Sequence, residues 1–200
     1  MGNKVFKGII VDWGGVLIED PAPGMRIAFG DWWSVSDKDL KASFESCIGP
    51  YQTGKVTEAE FWERVAASIQ KEWLGDLWWE KAFRKVFKRV NSVEEWLIKC
   101  KSQGIKIGFL SNTEKVALNI FKEQNYDFLD FKVFSCEEGV AKPQPEIFEL
   151  ILDRMNLKAE EVLFIDDRMD NIDGAKKLGI KTWHCTNPHE LVKAMTDLGL

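Results

Sequence analysis

Positive charge is the scarcer sign in this chain. Lys and Arg number 27 against 32 Asp and Glu, a net charge of −5. General nucleic-acid binding wants a basic face, so the balance argues against that class. It leaves room for a small anionic ligand held by a local metal and a few donors. Cysteine is sparse and dispersed. Cys47, Cys100, Cys136 and Cys185 form no CxxC pair and no metal-type spacing, so a reduced, cytoplasmic protein is expected. No apolar run is long enough to span a bilayer. Met1-Gly2-Asn3-Lys4 leads straight into a strand, so neither signal peptide nor membrane partner is expected. Phe6 stands where a myristoylation signal needs Ser or Thr. Histidine occurs twice. His184 falls in the last expected strand and His189 at a helix start, neither beside a candidate nucleophile. Cys136 has no neighbour that would lower its pKa. Internal repeats and low-complexity segments are absent.

Tryptophan is abundant. There are nine, and six of them (Trp32, Trp33, Trp62, Trp73, Trp78 and Trp79) fall between residues 30 and 80. That bias suggests two parts of different character. Two hundred residues suffice for one α/β domain with a small second lobe.

From Asn91 onward, helix and strand alternate. Ser92 with Glu95 reads as a capping box, and Val93, Trp96, Leu97 and Cys100 give that helix one apolar face. The alternation continues with a strand at 105–110, a helix at 113–124 and a strand at 131–135. A helix follows at 145–155, with Pro145 in its first turn. Then come a strand at 161–165, a helix at 170–178 and a strand at 180–184. Asn187, Pro188 and Glu190 mark the start of a final helix. With the first strand, Val5 to Val11, this predicts an α/β fold with a doubly wound, parallel, five-stranded sheet. The segment from Glu19 to Val90 breaks the alternation and shows helical periodicity instead. Phe61, Val65, Ile69 and Trp73 share one face; Trp79, Phe83, Val86, Phe87 and Val90 share another. An earlier helix is expected over 36–47, and 24–33 gives no firm assignment. We read 19–90 as an inserted helical cap and residues 1–18 plus 91–200 as the α/β core. Its tryptophans suit core packing, with one or two facing a pocket.

Strand one ends in Asp12-Trp13-Gly14-Gly15. A carboxylate there lies where open α/β sheets place their ligand crevice, and the glycines permit close approach to the backbone. Asp12 is either a nucleophile or a strand-terminal turn residue. The same rim receives Ser111-Asn112-Thr113, Lys142 before Pro143, and Asp166-Asp167-Arg168. Phosphoryl transfer through an aspartyl-phosphate needs such a set. A carboxylate nucleophile divides one hard hydrolysis into two steps. Mg²⁺, with oxygen ligands, offsets the repulsion between carboxylate and phosphate. Ser111 and helix-start amides suit phosphate oxygens, and Lys142 adds charge to the transition state.

These four segments, in this order and spacing, resemble the haloacid dehalogenase-like hydrolase superfamily, and within it the sugar-1-phosphate phosphatases. The resemblance implies strand order 5-4-1-2-3 and a helical cap between the first and second motifs. It implies Asp12 as nucleophile and metal ligand, and Ser111 and Asn112 holding phosphoryl oxygens, with Gly14 and Gly15 beside them. Lys142 would bridge nucleophile and phosphate. The backbone carbonyl of Gly14, Asp167 and a second or outer-sphere Asp166 would complete the Mg²⁺ site, with Asn171 supporting it. Phosphatases of this family carry a second Asp, the general acid/base, where this chain has Gly14. Three readings follow. One is a phosphatase of a small phosphorylated metabolite such as a sugar phosphate, using water, a substrate group, Glu19 or Asp20 instead. The others are an impaired homologue that binds a phosphometabolite or a protein, and a 2-haloacid dehalogenase, which needs neither acid nor metal. Either a monomer or a homodimer is compatible with the sequence.

Overall fold

The four residues Gly8–Val11, all buried, form strand β1 at the centre of the sheet. A computed structural model of the chain describes residues 6–75, 78–197 and 199. The expected strand residue Val5 and the Met1–Lys4 start lie outside them. β1 pairs in parallel with β2 (Lys106–Ser111) on one side and β4 (Val162–Asp166) on the other. β3 (Phe131–Phe134) and β5 (Lys181–His184) close the edges, giving the order β3-β2-β1-β4-β5. That order is the expected 5-4-1-2-3 seen from the other edge, and every pairing is parallel. Strands buried on both faces read as continuous apolar runs, which explains the Ile-rich and Val-rich sequence of β1 and β4.

Helices α1 (Ala22–Trp33), α2 (Asp37–Gln52), α3 (Glu58–Ser68) and α4 (Trp79–Val86) follow β1 in the chain. They pack through rings. Phe29 meets Trp62 at 4.8 Å, Tyr51 meets Phe61 at 4.8 Å, and Phe44 meets Phe61 at 5.3 Å between centroids. Each such pair contributes about 0.5–1.5 kcal/mol beyond its area burial. Trp33, Trp62 and Trp79 are buried there, while Trp32 is exposed at the edge. α5 (Asn91–Ser102) then leads into β2, and Val93, Trp96, Leu97 and Cys100 form its buried face.

Several boundaries differ from the sequence reading. The Ser92–Glu95 capping box does not form. α5 begins at Asn91, and no side chain caps it. Its start is set by tertiary contacts instead: the Val90 N–H donates to the Leu17 carbonyl at 2.9 Å, and Glu94 takes the Arg89 guanidinium. The helix expected over 113–124 is α6, Lys115–Lys122. Thr113 stays outside because its N–H donates to Ser135 Oγ and its hydroxyl to Ser111 Oγ. α1 covers the unassigned stretch; Pro23 is tolerated in its first turn, where Asp20 Oδ1 accepts the Ala22 N–H at 3.0 Å. α2 begins one residue after the expected Ser36, which caps it instead, and it continues past Cys47 to Gln52 with Pro50 inside it. α3 ends at Ser68, so Ile69 and Trp73 lie beyond the helix that carries Phe61 and Val65.

α4 ends at Val86, so Phe87 and Val90 lie beyond it. α7 (Ser135–Glu138) follows β3 and takes Ser135 from the expected strand, and α8 (Pro145–Met155) precedes β4. α9 (Met169–Lys177) and α10 (Pro188–Asp197) flank β5, and Asn187 Oδ1 accepts the His189 N–H at the start of α10. α8, α9 and α10 follow the sequence within a residue. Among the described residues no helix is long and apolar enough to cross a membrane.

Candidate active site

Three carboxylates converge at the carboxyl edge of the sheet. Asp12 follows β1 and its N–H donates to the Ile165 carbonyl at 3.0 Å. Asp166 ends β4, and Asp167 follows it. One oxygen from each of the three lies within 4.8 Å of the others. Lys142 reaches them from the loop before α8. Its Nζ stands 2.7 Å from Asp166 Oδ2, 2.9 Å from Asp12 Oδ1, and donates to the Leu110 carbonyl at 2.8 Å. Burial works against the ammonium, but the two carboxylates outweigh it and hold Lys142 above the usual lysine value.

The three carboxylates are not equivalent. Asp166 is saturated: besides Lys142 it accepts the Arg168 N–H at 2.8 Å and the Asn171 carboxamide at 2.9 and 3.1 Å. Asp12 is not: its buried Oδ1 is near enough to Lys142 for an ion pair but has no partner in hydrogen-bond geometry. Burial raises its pKa and Lys142 opposes the rise. Asp167 faces the cleft. Its pKa is pushed up to about 7 by burial first, then by Asp12 and Asp166. One ammonium therefore faces three carboxylates, and two of these, Asp12 and Asp167, line the cleft. Buried charge of one sign is costly unless paired or bound to metal. The donor set, hard oxygens only, suits Mg²⁺.

The backbone holds this arrangement tightly. Gly15 has φ +71°, and a Cβ there would lie 2.6 Å from Asp167. Cys185 Sγ meets the Gly15 carbonyl at 3.3 Å, and the Cys185 N–H donates to the Asp166 carbonyl at 2.9 Å. His184 Nε2 lies 2.9 Å from the Asp167 carbonyl. The last strand thus braces the loop through residues the sequence reading left without a role.

Ser111 lines the cleft at the end of β2 and accepts the Thr113 hydroxyl at 2.8 Å. The Asn112 carboxamide is committed elsewhere. It accepts the Lys142 N–H and donates to the Lys142 carbonyl, both at 2.8 Å. It therefore fixes the lysine loop, and what Asn112 can offer a ligand is its backbone N–H. Gly14 also lines the cleft, and its nearest obstacle to a side chain is Pro21 Cδ, 3.3 Å from an ideal Cβ. Of the two substitute acids, Asp20 lines the cleft and acts on Asp167. Glu19 is engaged with Lys88 at 3.2 Å and His189 at 3.4 Å.

The cleft has a volume of about 440 Å³. Helices α1, α2 and α4 give it an apolar surface of Met25, Phe44, Ile48, Trp79 and Phe83, with Arg26, Lys41 and Glu45 from the same helices also in the lining. Trp13 lines it too, and packs between Phe83 and Phe121 at 5.2 Å each, so it both shapes the pocket and joins it to the core. Sequence reasoning missed Glu114, a buried carboxylate in the cleft wall. The available signal was its position, three residues past Ser111 on the same rim.

A family model for haloacid dehalogenase-like hydrolases matches residues 6–179. The chain belongs to that family. It is 24% identical to sesquiterpene phosphatase astK of Aspergillus oryzae, over 91% of each protein. It is 34% identical to a glyceraldehyde 3-phosphate phosphatase of Pyrococcus abyssi, over 48% of this chain and 41% of that one. Other curated relatives align over 10% to 48% of their own length. Among solved structures, a magnesium complex of a family enzyme from Bacteroides thetaiotaomicron superposes with TM-score 0.74. It shares 23% identity, with 90% of this chain and 92% of that one covered. That likeness establishes the fold.

Proposed function

We propose that this chain is a Mg²⁺-dependent phosphatase of a small phosphorylated metabolite, with Asp12 as nucleophile. The observation that carries the reading is the asymmetry of the carboxylates: Asp166 has its acceptors filled, while Asp12 and Asp167 line the cleft with fewer partners. Asp12, Asp167 and the Gly14 carbonyl would hold the metal, with Asp166 outside its direct ligands. When bound, Mg²⁺ neutralises charge so that a phosphate and a carboxylate can approach. Two named relatives, the sesquiterpene phosphatase and the glyceraldehyde 3-phosphate phosphatase, support phosphate ester hydrolysis. We take residues 1–18 and 91–200 as the catalytic core and 19–90 as the cap that encloses the substrate. The four cysteines are free, which suits a reducing cytoplasm.

The residues divide the work as follows. Asp12 attacks phosphorus, forming an aspartyl-phosphate as the alcohol leaves. Lys142, already ion-paired with Asp12, orients the carboxylate and offsets charge spreading over the phosphoryl oxygens. Ser111 Oγ and the Asn112 N–H hold those oxygens. Asp20, the carboxylate that faces both the cleft and Asp167, replaces the missing acid/base at position 14. It protonates the leaving alkoxide, then accepts a proton from the water that attacks the acyl phosphate, returning Asp12 and free phosphate. A dehalogenase expels halide and needs no cation, so three carboxylates gathered around the single Lys142 ammonium favour the phosphatase.

The test is phosphate release from p-nitrophenyl phosphate, acetyl phosphate and a panel of sugar phosphates, with Mg²⁺ and with EDTA. Release is expected with Mg²⁺ only, and Asp12→Asn should lower it by roughly 10⁴-fold or more. Metal-dependent release that survives in Asp12→Asn would rule out the covalent route.

A further inference from the structure

Glu114 has no part in the chemistry described above, yet it opens on the same cleft. It is 4% exposed. One carboxylate oxygen, Oε1, accepts the Gln52 carboxamide at 2.9 Å. Gln52 is the last residue of α2, and its carbonyl accepts the Ser135 hydroxyl at 2.6 Å, so the contact is braced from both sides. Besides Gln52, only Glu114's own backbone N–H acts on the carboxylate; among the described residues no second side chain meets it, and the residue lines the cleft. The charge that acts on Glu114 is that of Glu58; no lysine or arginine offsets it. The charges acting on Asp12 and Asp167 come from Lys142, the other carboxylates and Asp20, and Glu114 is not among them. Glu114 therefore belongs to the part of the cleft that would face the substrate's body, beside the apolar wall, and not to the reacting end.

Buried carboxylates without a cation are costly, and a free acceptor at the wall of an apolar pocket is where ligand orientation is normally fixed. We propose that Glu114 is a specificity residue that receives a hydroxyl group carried by the leaving alcohol of the phosphomonoester. The rest of that alcohol is an apolar carbon body lying against Met25, Phe44, Ile48, Trp79 and Phe83. The inference rests on the phosphatase reading. A hydroxyl fits better than an ammonium. It can donate to a carboxylate or accept from a carboxylic acid, so it binds in either protonation state. An ammonium would also share the cleft with Arg26, Lys41 and Arg168. A polyol without an apolar body would leave the ring-lined wall unused.

The experiment compares kcat/KM at pH 8, with Mg²⁺, for three matched series: alkyl phosphates, their ω-hydroxy counterparts and their ω-methoxy counterparts of the same chain length. p-Nitrophenyl phosphate serves as the reference substrate. A methoxy oxygen accepts but cannot donate. At this pH Glu114 is an acceptor, so the wild-type protein should favour the best hydroxy compound over both counterparts by at least about tenfold. In Glu114→Gln the amide oxygen stays on the Gln52 carboxamide and the NH₂ faces the cleft. The hydroxy-to-methoxy ratio should then fall to within about twofold, because an amide donor serves both oxygens. Since a ratio is read, a general loss of activity cancels. Wild-type hydrolysis of p-nitrophenyl phosphate without any hydroxy preference overturns the assignment and leaves the phosphatase intact. So does a Glu114→Gln protein that keeps the wild-type ratio, which would give Glu114 a structural role only. If the variant does not fold, the wild-type ratios still decide the matter. Absence of p-nitrophenyl phosphate hydrolysis with Mg²⁺ sinks the phosphatase reading, and this one with it.

Discussion

Asp166 and Glu114 are both carboxylates buried at the rim of one cleft, and the protein treats them in opposite ways. Asp166 is met by an ammonium, a backbone N–H and a carboxamide, leaving it nothing further to bind. Glu114 is met by one carboxamide, its own backbone N–H and no cation. Burial is similar, so burial alone does not separate a supporting residue from one that waits for a ligand. The count of filled acceptors does. By the same count, Asp12 and Asp167 resemble Glu114 more than they resemble their neighbour Asp166. A buried acid that is fully paired holds the site in shape, and one that is half paired marks where something else binds.

Lys142→Met strikes the paired side and carries the largest expected effect. It removes the ammonium while keeping the bulk, leaving Asp12 and Asp166 buried without their counter-charge. Breaking such a pair costs about 3–5 kcal/mol, and losing the charge at the transition state should lower turnover by about 10³-fold or more. Urea unfolding and phosphate release measure the two losses. A variant as stable as wild type would mean that Asp166 does not need its cation, and the contrast with Glu114 would collapse.

Glu114→Gln probes the unpaired side through stability, whatever the substrate. Burial pushes Glu114 from 4.5 up to about 7. The folded state then binds more protons than the unfolded state between these values. Stability therefore falls as pH rises from about 4.5 through about 7, then levels off. The contribution is on the order of 3 kcal/mol at most. Asp12 and Asp167 are raised as well and slope the same way. The informative quantity is thus the difference between wild type and variant in thermal melts from pH 5 to 8. The variant should lose less stability over that window. Parallel curves would mean that Glu114 is not the uncompensated acid described here.

The sequence carried the parallel sheet and the convergence of Asp12, Ser111, Lys142 and Asp167 on one edge, because strand ends in a parallel sheet share a rim; the strand order came from the family resemblance. It carried much less about which group does what. Asp166 and Asp167 are adjacent and identical in type, and only hydrogen-bond partners from β5, α9 and the Lys142 loop tell them apart. Asn112 reads as a phosphate donor until its carboxamide is found closing on the Lys142 backbone. Glu114 carried only the signal of its place three residues past Ser111, because the carboxamide that meets it belongs to Gln52, 62 positions away. Helix ends failed for a related reason. The Ser92 box was a local signal outvoted by the Val90–Leu17 contact, and α2 outran its expected end because Gln52 has a tertiary partner.

Gly14→Asp carries the smallest expected effect and bears on whether the open side of the cleft already contains its own acid. A positioned general acid is generally worth about 10²–10⁴-fold. If the site had no substitute, restoring the aspartate would return much of that factor. Asp20 faces the cleft and acts on Asp167, so the gain should be held to about tenfold, and only for alkyl phosphates, whose leaving groups need a proton. p-Nitrophenyl phosphate leaves as a weak base and should change less than about twofold. The new side chain has to pass Pro21 Cδ, 3.3 Å from its Cβ. Pro21 directly follows Asp20, so part of any gain is offset by displacing the resident acid. Adding Asp20→Asn in the Gly14→Asp background separates the two effects. With the new aspartate in place, removing Asp20 should cost alkyl phosphate turnover little, whereas Asp20→Asn alone should cost it heavily. Equal losses in both backgrounds would show that Asp20 acts elsewhere than at the leaving group. The proton would then have to come from another group in the cleft.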